Sequence, residues 1–301
     1  MLKAENQPVL CVDIGGTSTK AGILDTSGVL HSADSIPTKP DDESYFGNLL
    51  RLIQQIRGNE RSLTQLGVAV AGFLDSERDH LLYNSNLAWL EDFPLRRRLV
   101  EHFPDLAVEL EVDSNAATMA EYQFGSGVNS KRFLCLTAGT GLGVGMAVNG
   151  VPLRFAYGCM GDIGHTIVLR NGPLCTCGGR GCAEVMISAP SVAERAQASS
   201  LREAIDAANQ GNKTAIAALT QAGEWLGLAI ASMANTFFPD HIAVAGGLSA
   251  AGDFVLKPAE QVFRESAGVL ARSKVTFARA KLGVSATLIG AAWPFWKRET
   301  I

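Results

Sequence analysis

Along this chain, short apolar runs alternate with longer stretches whose apolar positions recur every three or four residues. "VLCVDIG", from Val9 to Gly15, predicts a strand, and "KAGILDTSGVL" predicts two further strand pieces around a turn at Asp25 to Gly28. In "SYFGNLLRLIQQIR" the residues Phe46, Leu49, Leu50, Ile53 and Ile56 share one helical face. "LTQLGVAVAGFLD" reads as a strand ending in a small-residue turn, and "PLRRRLVEHF" as a helix with Pro94 at its start. "AVELEVD" predicts a strand, and "SNAATMAEYQFG" a helix closed by Gly125. "TAIAALTQAGEWLGLAIASMANTF" predicts a long helix, "HIAVAGG" a strand, and "SATLIGAAWPFW" a C-terminal helix cut by Pro294. Strands and helices alternate, which defines an α/β class.

The pattern repeats itself once. "LCVDIGGTSTKAGILDTSG" at Leu10 resembles "LCLTAGTGLGVGMAVNG" at Leu134. Leu10 and Cys11 match Leu134 and Cys135, Gly15 matches Gly139, and Asp25 and Asn149 both fall where a hairpin turns. Two strand–turn–strand units of one design imply two similarly built lobes. The length fits this: 301 residues, 47% hydrophobic, can bury two moderate cores. A formal net charge of −4 with no basic run leaves nucleic acid no electrostatic footprint. The longest apolar stretches are far short of a membrane span, and "MLKAENQPVL" carries no signal-peptide core, so a cytoplasmic location is expected. In a reducing compartment, structural disulfides are not expected among the six cysteines. Cys11 and Cys135 lie in strand-like runs as core thiols, while Cys159 precedes a glycine-rich turn.

Backbone N–H groups can cradle a phosphate only where no Cβ blocks the approach, and "GGTSTK" and "AGTGLG" both meet that condition. Thr17, Ser18 and Thr19 add hydroxyls to the first and Thr140 to the second, and Asp13 ends the first strand where a carboxylate could hold hydrated Mg²⁺. Neither stretch is GxGxxG or GxxxxGK[ST], and either alone could be a plain tight turn. As a pair they favour a nucleotide held between two lobes. Further along, His165, Cys175, Cys177 and Cys182 form H-x9-C-x-C-x4-C. Three thiolates and one imidazole suit a closed, structural tetrahedral Zn²⁺ site, with a disulfide or free thiols as the alternatives. Gly178, Gly179 and Gly181 would let the loop close around the metal.

These motifs carry a resemblance. The paired hairpins resemble the phosphate-1 and phosphate-2 hairpins of the actin, Hsp70 and sugar-kinase superfamily, and "IAVAGGLSAAG" resembles its adenosine segment. "GDIGHTIVLRNGPLCTCGGRGCAE" is similar to the signature of the ROK family, named for repressors, open reading frames and kinases, and the likeness runs on to "LIGAA". It implies a two-lobed actin-like ATPase fold, ribonuclease H-like, with a structural zinc loop. A small lobe of residues 1–112 plus the C-terminal helix at about 284–301 would face a large lobe of 113–283. The resemblance implies an ATP-dependent sugar kinase using Mg²⁺ and Zn²⁺, assembled as a homodimer. ATP would contact Asp13, Gly15, Gly16, Thr17, Lys20, Gly139, Thr140, Gly141, Gly246 and Gly247.

Sugar phosphorylation needs a carboxylate to take the proton of the attacking hydroxyl. Asp113 fits, ending a strand and opening a helix, although from local sequence it could equally be an N-cap. The resemblance places the family's catalytic Asp at Asp113 and implies sugar contacts from Gly72, Ser85, Asn86, Asn115, Asp162, His165 and Glu184. It also implies that His165 serves the metal with one nitrogen and the sugar with the other, a role metal ligation would orient. No DNA-reading helix fits before the first strand, so a kinase is expected over a repressor. A catalytically silent sugar-binding protein is the alternative from another class. Two positions depart from the family pattern: Val112 stands where Asn usually precedes the catalytic Asp, and Asp162 where Glu is usual. Both lie on the sugar side. The resemblance implies a hexose or hexose derivative phosphorylated at the 6-hydroxyl, and the two departures open an aminosugar or N-acetyl sugar as the alternative to plain glucose.

Overall fold

The computed structural model describes residues 7–38, 42–60, 62–84 and 87–296. They form two compact units, the first made of residues 1–124, 152–161 and 285–301, the second of 125–151 and 162–284.

In the first unit, β1 (Val9–Ile14) pairs antiparallel with β2 (Ser18–Leu24), and β2 with β3 (Leu30–Pro37). β1 also pairs parallel with β4 (Gln65–Val70). A small ribbon, β5 (Phe73–Leu74) with β6 (Leu81–Tyr83), precedes β7 (Ala107–Val112), which pairs parallel with β4 and completes the order β3-β2-β1-β4-β7. α1 (Asp42–Arg57) buries Phe46, Leu49, Leu50, Ile53 and Ile56, the face its periodicity predicts. That face joins Leu10, Val12, Leu66, Val68 and Leu110 in one core. The third strand expected after the Asp25 turn is present. Its register slips between Ala21 and Ile23, so the ladder is not a plain hairpin.

α2 (Leu95–His102) follows Pro94 as expected, and α3 (Asp113–Phe124) starts directly at the last residue of "AVELEVD". The expected lobe boundary at 112/113 separates α3 from this sheet, whereas the compact unit keeps it and ends at Phe124. The reason is close packing: a Cβ on Gly290 of the C-terminal helix (Ala286–Gly290) would sit 1.8 Å from the Ala116 carbonyl oxygen of α3. The C-terminal segment is shorter than its pattern predicts. The α-helix ends at Gly290, and Pro294 lies in a separate 3₁₀ turn, Trp293–Phe295.

The second unit repeats the plan. β8 (Arg132–Ala138) pairs antiparallel with β9 (Leu142–Val148) and parallel with β11 (His241–Ala245). With β10 (Val151–Pro152) and β12 (Thr276–Arg279) the order is β10-β9-β8-β11-β12. α4 (Ala183–Ile187), α5 (Ala189–Arg195) and α6 (Leu201–Asn209) lead into α7 (Lys213–Phe237), capped by the Asn212 side chain. α8 (Asp253–Ser266) packs on α7 where glycines let the backbones approach, and α9 (Val269–Lys274) follows. No helix among the described residues is long and apolar enough to cross a membrane.

Candidate active site

Asp13 lies in β1, paired across the hairpin with Lys20, whose Nζ is 3.9 Å from Oδ2. Burial pushes the Asp13 carboxyl up to about 6, against the pull of Lys20. Asp113 opens α3 in the same unit. Burial first, and the charge of Asp13 second, push it up to about 7, opposed by the Ser114 N–H at 2.7 Å. Asp13 on β1 and Asp113 just past β7, with β4 between the two strands, are therefore placed so that the Asp13 charge raises the affinity of Asp113 for its proton. Such a pair can share a proton or a cation.

Below Asp113 lies a network that the sequence did not announce. Glu111 is fully buried, accepting from the Val112 N–H at 3.0 Å and the Asn115 Nδ2 at 2.9 Å. Its other oxygen accepts from Arg154, and Arg78 Nη1 stands 3.7 Å away. Asn115 also donates to the Gly158 carbonyl at 2.7 Å, and its Oδ1 is buried without a hydrogen-bond partner. Glu111 thus ties the end of β7, the first turn of α3 and the 154–158 segment together. Asn115, expected at the sugar, is fully buried, and its amide is spent inward, which makes it a positioning residue for this turn. Little in the sequence signals it: in "AVELEVD" Glu111 falls with Glu109 on the polar side of the strand, and only its burial in the fold demands partners. Val112 is also buried and lies under the Gly158 turn, its Cγ2 3.2 Å from where a Gly158 Cβ would be.

Of the first hairpin's hydroxyls, Thr17 is exposed and Ser18 half-buried, while Thr19 is fully buried and bonds Tyr45 at 2.5 Å and Thr38 at 2.8 Å. Thr19 therefore belongs to the core rather than to a ligand. Gly15 closes the turn through its N–H to the Ser18 carbonyl, and Gly16 is exposed at the tip. Gly72 follows β4 and backs onto the Tyr83 carbonyl. Ser85 and Asn86 lie outside the described residues.

In the second unit, Gly139 has open space where a Cβ would go, and Thr140 is exposed beside it. Gly141 differs. A Cβ there would lie 2.5 Å from Glu184 Oε2, which accepts from the Leu142 N–H at 2.9 Å. A protein carboxylate accounts for this glycine, where the sequence suggested a phosphate. At the end of β11, Gly246 closes on the Ala138 carbonyl and Gly247 faces Leu201 of α6.

The four expected metal ligands do meet. The ligand atoms of His165, Cys175, Cys177 and Cys182 all lie within 4.8 Å of one another. His165 Nδ1 is 3.5 Å from Cys175 Sγ, and Cys177 Sγ is 3.6 Å from Cys182 Sγ. These separations suit the edges of a tetrahedron with metal–ligand bonds of about 2.0–2.3 Å, so the donor set fits Zn²⁺. The loop closes because Gly181 takes a φ of +67° and passes so near the Leu169 carbonyl that no side chain would fit. With Nδ1 on the cluster, His165 turns Nε2 toward Asp162 Oδ1 at 3.6 Å and Glu184 Oε1 at 3.9 Å. Both gaps are too long for direct hydrogen bonds, so Nε2 and the two carboxylates keep hydrogen-bonding capacity for a polar group lying alongside them.

Comparison with known proteins agrees with this frame. Residues 9–298 match the ROK family, and the chain belongs to it. A glucokinase of Halalkalibacterium halodurans is 32% identical over 96% of this chain and 94% of its own. An N-acetylmannosamine kinase of Haemophilus influenzae is 27% identical over 97% and 96%. Among solved structures, a ROK family glucokinase from Streptomyces griseus, in complex with glucose and AMPPNP, superposes with a TM-score of 0.86 at 29% identity, covering 96% of this chain and 99% of that one. The mixed α/β architecture is that of the ROK kinases, the actin-like ATPase fold.

Proposed function

We propose that this chain is an ATP-dependent hexose kinase in which Asp113 takes the proton of the attacking primary hydroxyl. One observation carries the assignment: the Asp113 carboxyl sits at about 7, beside a second raised carboxyl, at the junction of a strand and a helix. A base works best when its pKa lies near the operating pH. The glucokinase relatives, and the nucleotide analogue and glucose bound by the Streptomyces griseus enzyme, support the donor and acceptor classes.

Asp13, held by Lys20, is the residue to carry Mg²⁺, which compensates polyphosphate charge when bound. Gly15, Gly16, Thr17, Gly139 and Thr140 offer backbone and hydroxyl donors to the phosphates, and Gly246 and Gly247 a flat edge to the nucleoside. His165, Glu184 and Asp162 offer polar atoms to sugar hydroxyls. The cysteines and His165 Nδ1 hold Zn²⁺, whose work is to fix the ring that presents Nε2. Three closely spaced thiols suit a reducing cytoplasm.

Val112 and Asp162 favour a second reading, an aminosugar or N-acetyl hexose acceptor, because a polar donor and a methylene of reach are missing on the sugar side. The N-acetylmannosamine kinase relative agrees with it. A coupled assay with ATP across glucose, mannose, glucosamine, N-acetylglucosamine and N-acetylmannosamine decides. One hexose at ordinary kinase efficiency supports the proposal, its identity choosing between the readings. Inactivity across the panel with retained sugar binding overturns it for a silent sugar-binding protein.

A further inference from the structure

Three aromatic rings stand on the surface of the first unit, next to the strand end that carries Asp113. Phe73 and Tyr83 face one another across the β5–β6 ribbon, stacked at 6.4 Å between centroids and 29° between planes. Tyr157 meets Phe73 edge-on at 6.5 Å and 87°. Tyr83 is 49% exposed and Tyr157 61%, with Phe73 half-buried between them, so the two tyrosines present their rings to solvent over a phenylalanine base.

Tyr157 is held there against its preference. Its φ is +53°, a left-handed conformation that costs a bulky residue of order 1–3 kcal/mol. The backbone enforces it: Leu74 N–H donates to the Tyr157 carbonyl at 3.2 Å, and the next residue, Gly158, is anchored by Asn115 and rests on Val112. Strain kept in place by the Glu111 network, only to expose a ring, marks a functional surface. Its floor is apolar as well: Val112 precedes Asp113 directly, and Leu74 lies beside Gly158.

We infer that Phe73, Tyr83 and Tyr157 form an aromatic subsite for the acceptor, and that the preferred acceptor is a hexose bearing a ring substituent with an apolar face, such as an aryl glycoside. This rests on the sugar-kinase reading and narrows its substrate class. Aromatic faces take apolar ring faces edge-on or offset, and three rings at mixed angles can receive one more ring. A protein partner or a second copy of this chain is the competing occupant. The adjacency of the rings to Asp113 through Gly158 and Val112 favours the acceptor.

The test compares methyl β-glucoside with phenyl β-glucoside, by calorimetric binding and by ATP-dependent phosphorylation. The expected result is a roughly five- to tenfold lower Kd and higher kcat/KM for the phenyl compound. That ratio should fall toward one in Tyr157→Asn, which removes the ring and tolerates the left-handed backbone, and also in Tyr83→Ala, at an exposed position. Equal affinity for the two glucosides in the wild type overturns the subsite, as does a ratio that neither variant moves. Equal affinities together with a dimer, in sedimentation, that Tyr157→Asn dissociates would reassign the rings to self-association. Tighter phenyl glucoside binding with no phosphorylation of either glucoside overturns the acceptor class if free glucose is phosphorylated, and overturns the kinase reading instead if glucose is not phosphorylated either.

Discussion

The two units are built on one five-stranded plan, β3-β2-β1-β4-β7 in the first and β10-β9-β8-β11-β12 in the second. Their leading hairpins match position by position, Cys11 with Cys135 and Gly15 with Gly139. Their chemistry differs. At the position where β1 carries Asp13, β8 carries Thr137. The first hairpin has a carboxylate paired with Lys20 and coupled to Asp113, whereas the second has its turn filled from behind by Glu184. One sheet plan thus carries two kinds of group. The first unit carries two raised carboxyls above a buried charge network. The second carries a loop whose three thiols and one imidazole converge as a set that could hold a metal ion. A duplicated frame fixes where strand ends lie, and the residues placed on those ends decide what each half does.

The largest expected effect tests the second unit. Purified protein should contain one equivalent of zinc. Removing it by chelation, or by Cys175→Ser, should abolish activity and lower the melting temperature, because structural zinc contributes about 10 kcal/mol to local folding. Metal analysis beside a thermal melt checks this, and full activity in metal-free protein would break the division of tasks. Next, Glu111→Gln tests whether the first unit needs its buried carboxylate. Leaving Arg154 without its partner should cost about 3 kcal/mol by denaturant unfolding. The loosened 154–158 turn should lower kcat about 10- to 100-fold, with a smaller change in KM.

The pH profile sharpens the comparison further. The Asp113 carboxyl titrates at about 7, so kcat/KM should fall about tenfold per pH unit below that value. Stability should respond to the same group. Folding raises the Asp113 carboxyl from its ordinary 3.8 to about 7, so its favourable contribution is complete below about pH 4 and is lost as pH rises through 7. Asp113→Asn should therefore match the wild type near pH 4 and exceed it at pH 8 by about 4 kcal/mol, read as a shift of about 2–4 °C per kcal/mol.

How much of this was legible in the sequence depends on how local each feature is. The strands, the long α7 and the apolar face of α1 follow from periodicity over contiguous residues. Three of the four metal ligands lie within eight positions, and the whole cluster assembles as its spacing implies. What the sequence could not convey was direction. Thr19 follows two hydroxyl residues in a polar turn yet alternates inward to Tyr45. Asn115 follows Asp113 by two residues, and the helical turn aims it at Glu111. Gly141 is glycine because Glu184, far along the chain, needs the space. Glu111 and Asn115 lie 43 residues from their respective partners Arg154 and Gly158, and this union exists only in three dimensions. Gly290 in the C-terminal helix is likewise a glycine because α3 passes against it, a contact invisible in local sequence.

The measurement that reaches the central claim most directly is Asp113→Asn assayed on glucose, with binding and turnover recorded separately. If Asp113 is the base, the variant binds glucose within about threefold of the wild type while kcat falls by about 10²–10⁴. Turnover within about tenfold of the wild type, at unchanged glucose affinity, would contradict the account and move the proton to another group.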